Sequence, residues 1–336
     1  MNVLIIGGTR FMGPHIVRQL VVGGHSVAVF TRGQTPIDLP ESVRHIRGDR
    51  NNLPAFESAF ESFRPEVVID MMLINERQAT DLMNMMSGLA RRVVIASSCD
   101  VYFGYDLLRG VETGEPSSTP LTEDSPLRTK MYPYRDMVGD PAHPLYDYDK
   151  ILIERIVLSA PELAGTVLRL PVVYGPGDYQ HRFFKYLKRM DDTRPVVLLE
   201  KAEAGFRMVR GYVEDCAAAI ALAATDDRAR GRVYNVGEQE HPSESEWVRR
   251  LADTIGWSGR ILSLPPDQLP EHLKDDTCWE HHLVVDSGRI RRELGYAEIA
   301  DPAEALRQTI EWERANPPEI DPKAFDYAAE DAAISS

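Results

Sequence analysis

Apolar and polar positions in the first half of the chain alternate between two periods. Asn2 to Ile6 is a short apolar run ending in Gly7 and Gly8, and Phe11 to Leu20 then repeats apolar residues at helical spacing. That order predicts a strand, a glycine turn and a helix. Further strands are predicted at Val27 to Phe30, Val43 to Ile46, Val67 to Ile69 and Arg92 to Ala96, separated by helical stretches at Leu53 to Phe63 and Arg77 to Leu89. Such alternation implies an α/β protein built on a doubly wound parallel sheet.

Between Tyr105 and His143 the chain turns rich in Pro, Ser, Thr, Asp and Gly, which predicts a long connection across the surface. Helical spacing resumes from Tyr148 to Leu158, and Thr166 to Leu170 supplies a sixth strand running into the turn at residues 174–178. From Phe183 the pattern is mixed, with a strand at Val196 to Leu199, a helix at Val213 to Ala224 and a strand at Arg232 to Val236. The expected organisation is a dinucleotide domain over 1–175, rejoined by 208–240. A smaller C-terminal substrate-binding lobe takes 176–207 and 241–320, and a tail over 321–336 wraps the surface or frays.

Composition narrows the function classes. Acidic residues outnumber basic ones 52 to 38, a formal charge of −14 that repels a phosphate backbone, so no nucleic-acid partner is expected. Three separated cysteines support neither a disulfide framework nor a paired metal site and suit a reducing, cytoplasmic compartment. No apolar run reaches the roughly 18 residues of a membrane span, and no basic leader precedes the first strand. His272, Cys278, His281 and His282 fit no zinc pattern, and no metal is expected.

The turn Gly7-Gly8-Thr9-Arg10-Phe11-Met12-Gly13 permits close backbone approach to a pyrophosphate at a helix N-terminus, although such a turn also serves merely to join strand to helix. The second strand ends Phe30-Thr31-Arg32, where a carboxylate would grip the ribose of NAD. Arg10 and Arg32 therefore favour NADP, with NAD as the alternative and solvated surface arginines as the plain reading.

A second constellation lies further on. The strand before Ser97-Ser98-Cys99-Asp100 is followed by Tyr146-Asp147-Tyr148-Asp149-Lys150, a YxxxK spacing on a predicted helix. One helical turn would put Tyr146 and Lys150 on one face, where the ammonium favours phenolate and a serine hydroxyl can share the substrate oxygen. By itself that spacing also describes an ordinary amphipathic pair.

The order of these motifs, followed by Arg169-Leu170-Pro171-Val172-Val173-Tyr174-Gly175-Pro176-Gly177, Arg210-Gly211-Tyr212-Val213-Glu214-Asp215 and Tyr234-Asn235-Val236-Gly237, closely resembles the NAD-dependent epimerase/dehydratase family of extended short-chain dehydrogenases/reductases. That family reads GxxGxxG at the turn, and Arg10 replaces its middle glycine. The resemblance implies a Rossmann-type fold, with Gly7, Thr9, Arg10, Phe11, Met12 and Gly13 at the cofactor phosphates. It places Asp49 and Arg50 near the adenine, where helix capping would equally explain Asp49, and Pro171 and Val173 beside the nicotinamide. Ser98, Tyr146 and Lys150 carry over as the catalytic trio, Ser98 being selected over Ser97 by its spacing to Val101-Tyr102.

Asp100 stands where sugar dehydratases carry one of two acids; it is expected either to carry a proton or to bond loop amides, while Cys99 packs. Arg210, and less so Arg182 and Arg207, are expected at a substrate diphosphate unless an ion pair holds them. The implied activity is an NAD(P)-dependent epimerase or reductase acting on a nucleotide sugar or related polyol or keto substrate, in a homodimer. The opening Gly-Gly-Thr-Arg-Phe is also similar to chloroplast stem-loop RNA-binding relatives, so RNA binding or cofactor sensing on the same fold is the alternative.

Overall fold

The structure is a computed structural model describing residues 1–35 and 39–335, so the final residue of the 321–336 tail lies outside the described residues. Among the described residues eleven strands run in chain order as β1 Asn2–Ile6, β2 Ser26–Thr31, β3 Arg44–Arg47, β4 Val67–Asp70, β5 Arg92–Ser98, β6 Ala164–Leu170, β7 Val172–Tyr174, β8 Val196–Glu200, β9 Arg210–Tyr212, β10 Val233–Asn235 and β11 Arg260–Leu264. Seven of them form one sheet in the order β10-β6-β5-β4-β1-β2-β3, and every pairing in it is parallel. β7 pairs with β9 and β8 with β11 in two small separate sheets.

Period-two alternation divides the core between the faces of the large sheet. Val3, Ile5, Val27 and Val29 face α1 (Met12–Val22), with Ile16, Val17 and Leu20 buried against them. Leu4, Ile6, Ala28 and Phe30 face the other way, toward α2 (Glu57–Phe63) and α3 (Glu76–Met86). The stretch expected as one helix over Leu53 to Phe63 is split, because a 3₁₀ segment containing Pro54 precedes α2.

The long connection carries two short helices, α4 (Phe103–Leu108) and α5 (Arg135–Val138), before α6 (Lys150–Ser159). Beyond the large sheet the chain adds α7 (Phe184–Asp191), α8 (Lys201–Gly205), α10 (Glu244–Ile255), α11 (Gly288–Leu294) and α12 (Pro302–Ala315), whereas α9 (Val213–Thr225) packs with α1 in the core beneath the sheet. No described helix is long and apolar enough to cross a membrane.

The tail folds as a docked element. Helix α13 (Tyr327–Ser335) places Ala333 and Ile334 against Val196, Leu198 and Leu269, covering the small β8–β11 sheet. Glu330 is buried, accepts from Arg189 Nη2 at 2.6 Å and lies 3.1 Å from His272 Nε2. Isolated Ala-rich sequence of this length is marginal as a helix, so tertiary contacts hold it. Glu330→Gln is expected to cost about 1–3 kcal/mol, since it removes the charge from a buried hydrogen-bonded pair while keeping its shape. Urea denaturation checks this, and a change below about 0.5 kcal/mol would mean this pair adds nothing to the stability of the fold.

Candidate active site

The functional candidates gather where the sheet reverses its order, at the C-terminal ends of β1, β4 and β5, the position at which open α/β sheets take ligands. Gly7 and Gly8 have φ of +96° and +90°, a region L side chains avoid. A Cβ on Gly13 would lie 2.3 Å from both the Cα and the carbonyl carbon of Gly8, so only glycine lets α1 start this close to the turn. No side chain caps the N-terminus of α1 at Phe11. The turn between β7 and α7 reaches the same place, because a Cβ on Gly177 would sit 3.4 Å from the Phe11 Cα. This cradle suits the pyrophosphate of a dinucleotide bound to exposed amides.

Beyond β2, Arg10 Nε donates to Thr35 Oγ1 at 2.9 Å, and the Arg47 side chain lies against Gly33. Arg10 and Arg32 are exposed, and among the described residues no ion pair joins Arg10, Arg32 or Arg47 to a carboxylate. Asp49 caps the following 3₁₀ segment by accepting from Asn51 N at 2.9 Å. Arg50 turns inward and donates to Asp70 Oδ2 at 2.7 Å and to the Gln78 carbonyl at 3.1 Å, leaving its Nε and Nη1 buried without partners. Asp70, at the end of β4, is fully buried; burial raises its pKa against the pull of Arg50. The sequence reading missed this pair, although a carboxylate closing the apolar run Val67-Val68-Ile69 was a signal for it.

At the end of β5 the two serines separate. Ser97 Oγ donates to buried Glu154 at 2.5 Å, while Ser98 is partly exposed and accepts from Asp100 N at 3.2 Å. Asp100 is 5% exposed; its Oδ2 accepts from Tyr148 at 2.7 Å and from Tyr134 at 3.3 Å, and its Oδ1 has no partner. Burial raises its pKa, with Tyr148, Arg128 and Lys150 opposing. Cys99 is buried and its thiol is pushed up to about 12, so it packs as an inert apolar group.

Lys150 opens α6 rather than lying within it, and donates from Nζ to the carbonyls of Leu73 at 2.6 Å and Ala96 at 2.9 Å; burial lowers its pKa. The helix expected from Tyr148, with Tyr146 on the same face as Lys150, is corrected here. Asp149 caps α6 by accepting from Ile151 N at 2.9 Å and takes Tyr132 N at 2.7 Å on its other oxygen, which fixes the helix start at Lys150. Tyr146 therefore lies in the preceding turn, its ring 5.0 Å from the Arg135 guanidinium. Tyr148, passed over in the sequence reading, points at Asp100.

Pro171 links β6 to β7 and is buried, as is Val173, which stands opposite Gly211 of β9. Arg182 is held by Asp178 and by the Val173 carbonyl at 2.9 Å, and Arg207 by the His241 carbonyl and Glu246. Arg210 lies 5.0 Å over Trp247 and donates to Glu244 Oε2 at 2.7 Å, with its Nε and Nη1 buried and unpartnered. The diphosphate candidates are thus already engaged with carboxylates or carbonyls.

Comparison with known proteins bears on the fold and the family. The chain is 26% identical to 2′-dehydrokanamycin reductase of Streptomyces kanamyceticus, over 82% of this chain and 72% of that protein. It is 25% identical to the chloroplast stem-loop binding protein of 41 kDa b of Arabidopsis thaliana, over 91% and 77%. Its fold matches UDP-glucose 4-epimerase of Thermotoga maritima, solved with UDP-glucose, at a TM-score of 0.68 and 18% identity, covering 94% of this chain and 99% of that one. Residues 3–237, most of the chain and all of the large sheet, match the NAD dependent epimerase/dehydratase family, and the protein is an enzyme belonging to that family.

Proposed function

We propose that the protein is an NADP-linked reductase delivering hydride to a keto group on a polyhydroxylated, sugar-like substrate. The observation that carries this reading is the end of β2, where Arg32 stands in the position of a ribose-binding acid and Arg10 folds over the same edge. A 2′-phosphate there would meet guanidinium groups that no described carboxylate already neutralises. The relative named 2′-dehydrokanamycin reductase supports a reductive direction on a keto sugar. Nucleotide sugars remain within the proposed class, but their diphosphate would share Arg210 with Glu244.

The nicotinamide supplies hydride when bound. The chain's residues do the rest: the glycine turn holds the phosphates, Lys150 is fixed under the ends of β4 and β5, and Ser98 and Asp100 organise hydroxyl groups where a substrate oxygen would lie. Titration of the protein's fluorescence with NADPH and NADH tests the reading. NADPH is expected to bind more tightly, and Arg32→Asp to weaken it by about 10- to 100-fold, the worth of a charge-assisted hydrogen bond. Preference for NADH in the wild type would replace the reductase with an epimerase that keeps its cofactor, and binding of neither would sink the enzyme reading.

A further inference from the structure

We propose that Tyr148, and not Tyr146, is the phenol that exchanges a proton with the substrate oxygen, and that Asp100 shares that proton across their hydrogen bond. The assignment rests on the nicotinamide-dependent reading above and names the acid within it.

Three observations converge on Tyr148. Its hydroxyl donates to Asp100 Oδ2 at 2.7 Å, and Ser98 at the same strand end is a neighbour that opposes the upward push on its pKa. Its ring centroid is 5.7 Å from Lys150 Nζ. Tyr148 keeps partial exposure as a residue while Asp100, which its hydroxyl reaches, is buried, so of the two the tyrosine lies nearer the surface. Tyr146 has none of these contacts: its carbonyl accepts from Arg135 Nε at 3.3 Å and its ring faces that guanidinium. Winding Tyr146 onto α6 would break the bonds that Asp149 accepts from Ile151 N, Leu152 N and Tyr132 N, and the ion pair of Asp149 with Arg128.

A route for the proton is also present. Tyr134 donates to Asp100 at 3.3 Å, and Tyr105 and Tyr134 share a hydroxyl contact of 3.1 Å, so a chain of phenols leads from the long connection to the carboxylate. In the reductive direction the carbonyl carbon gains hydride from a reduced nicotinamide, and the C–O π pair moves onto oxygen. The Tyr148 O–H bond breaks as its proton forms the alcohol O–H. The phenolate regains one proton by way of Asp100, Tyr134 and Tyr105, each passing one on and taking one up, with water as the net source. Burial and the Asp100 charge hold the Tyr148 phenol well above its ordinary pKa, which keeps it protonated before the transfer.

The groups that face the pair are Tyr134, Tyr105 and Arg128 from the long connection, Cys99 beside Asp100, and Lys150 from α6. Bringing a cationic oxidised nicotinamide to this cluster favours loss of the shared proton, whereas the neutral reduced ring does not. Affinities for NADP⁺ and NADPH, measured by calorimetry from pH 5.5 to 9, therefore test the assignment without any substrate. The ratio of NADP⁺ to NADPH affinity is expected to rise with pH, by at most about tenfold per unit for one proton. Asp100→Asn should flatten that rise. Tyr148→Phe should displace it by a pH unit or more, because the carboxylate loses its donor, while Tyr146→Phe follows the wild type. Retained NADPH affinity shows that each variant is folded. A flat ratio in the wild type, or a displacement seen in Tyr146→Phe and absent from Tyr148→Phe, would overturn the assignment. Binding of neither cofactor form would overturn the nicotinamide reading itself and the assignment with it.

Discussion

Arg169→Met is expected to cost about 3–5 kcal/mol of folding stability, the penalty for leaving one member of a buried ion pair alone. Arg169 is 4% exposed and donates from Nη2 to Glu154 Oε2 at 2.8 Å, from Nη1 to Tyr102 Oη at 3.1 Å and to the Glu123 carbonyl at 3.0 Å. Glu154 also holds Ser97, and the Tyr102 hydroxyl donates to Asn235 Oδ1 at 2.5 Å. One guanidinium thus joins β5, β6, β10, α6 and the long connection directly behind Ser98. Without it the buried Glu154 carboxylate would lose its cationic partner. Urea midpoints check the cost. The double variant Arg169→Met with Glu154→Leu should recover much of the loss, since apolar replacement of both partners removes the unpaired charge. A single-variant cost below about 1 kcal/mol would show that the network is ornamental.

Gly13→Ala is the second large effect. The added methyl carbon would meet the Gly8 backbone at 2.3 Å, and backbone atoms on both sides leave no flexible end to swing away. Either α1 tilts off β1 or the turn opens, and each separates the amides that would face the phosphates. Cofactor affinity is expected to fall by about 100-fold or more, with about 1–3 kcal/mol of stability lost to overpacking. Gly205→Ala, whose Cβ would meet nothing within 4 Å, serves as the control and should change stability by no more than about 0.5 kcal/mol. Wild-type affinity in Gly13→Ala, read by the same fluorescence titration, would remove this turn from the cofactor site.

What the sequence disclosed about this molecule follows the range of the interactions involved. β1, β2, β4 and β5 were legible because their apolar residues are consecutive and both faces are buried, so no partner identity is needed to see them. The glycine turn was legible because its steric demand is local. Tyr146 was placed wrongly on a helix because a four-residue spacing presupposes an unbroken helix, and a single capping carboxylate, Asp149, ends it first. The signal was available: an aspartate two residues before the apolar run Ile151-Leu152-Ile153 is a helix start. Docking of the tail was not legible. Glu330 meets Arg189 across 141 residues and His272 across 58, and nothing near Glu330 in sequence announces either partner. The same holds for Arg50 with Asp70 and for Arg210 with Glu244, where two ordinary charged residues become a buried pair only once the fold brings them together.

The placement of β6 beside β5 has a consequence for biogenesis. β5 ends at Ser98 and its outer neighbour begins at Ala164, so some 65 residues must leave the ribosome before that edge can be paired. At about 5–20 residues per second the nascent chain spends roughly 3 to 13 s with the apolar strand Arg92–Ser98 open on one side. An unpaired apolar edge is a template for other chains. The same excursion that supplies Tyr105, Tyr134 and Tyr148 to Asp100 therefore delays closure of the sheet, and it makes synthesis of residues 99–163 the interval in which a holding chaperone would matter most.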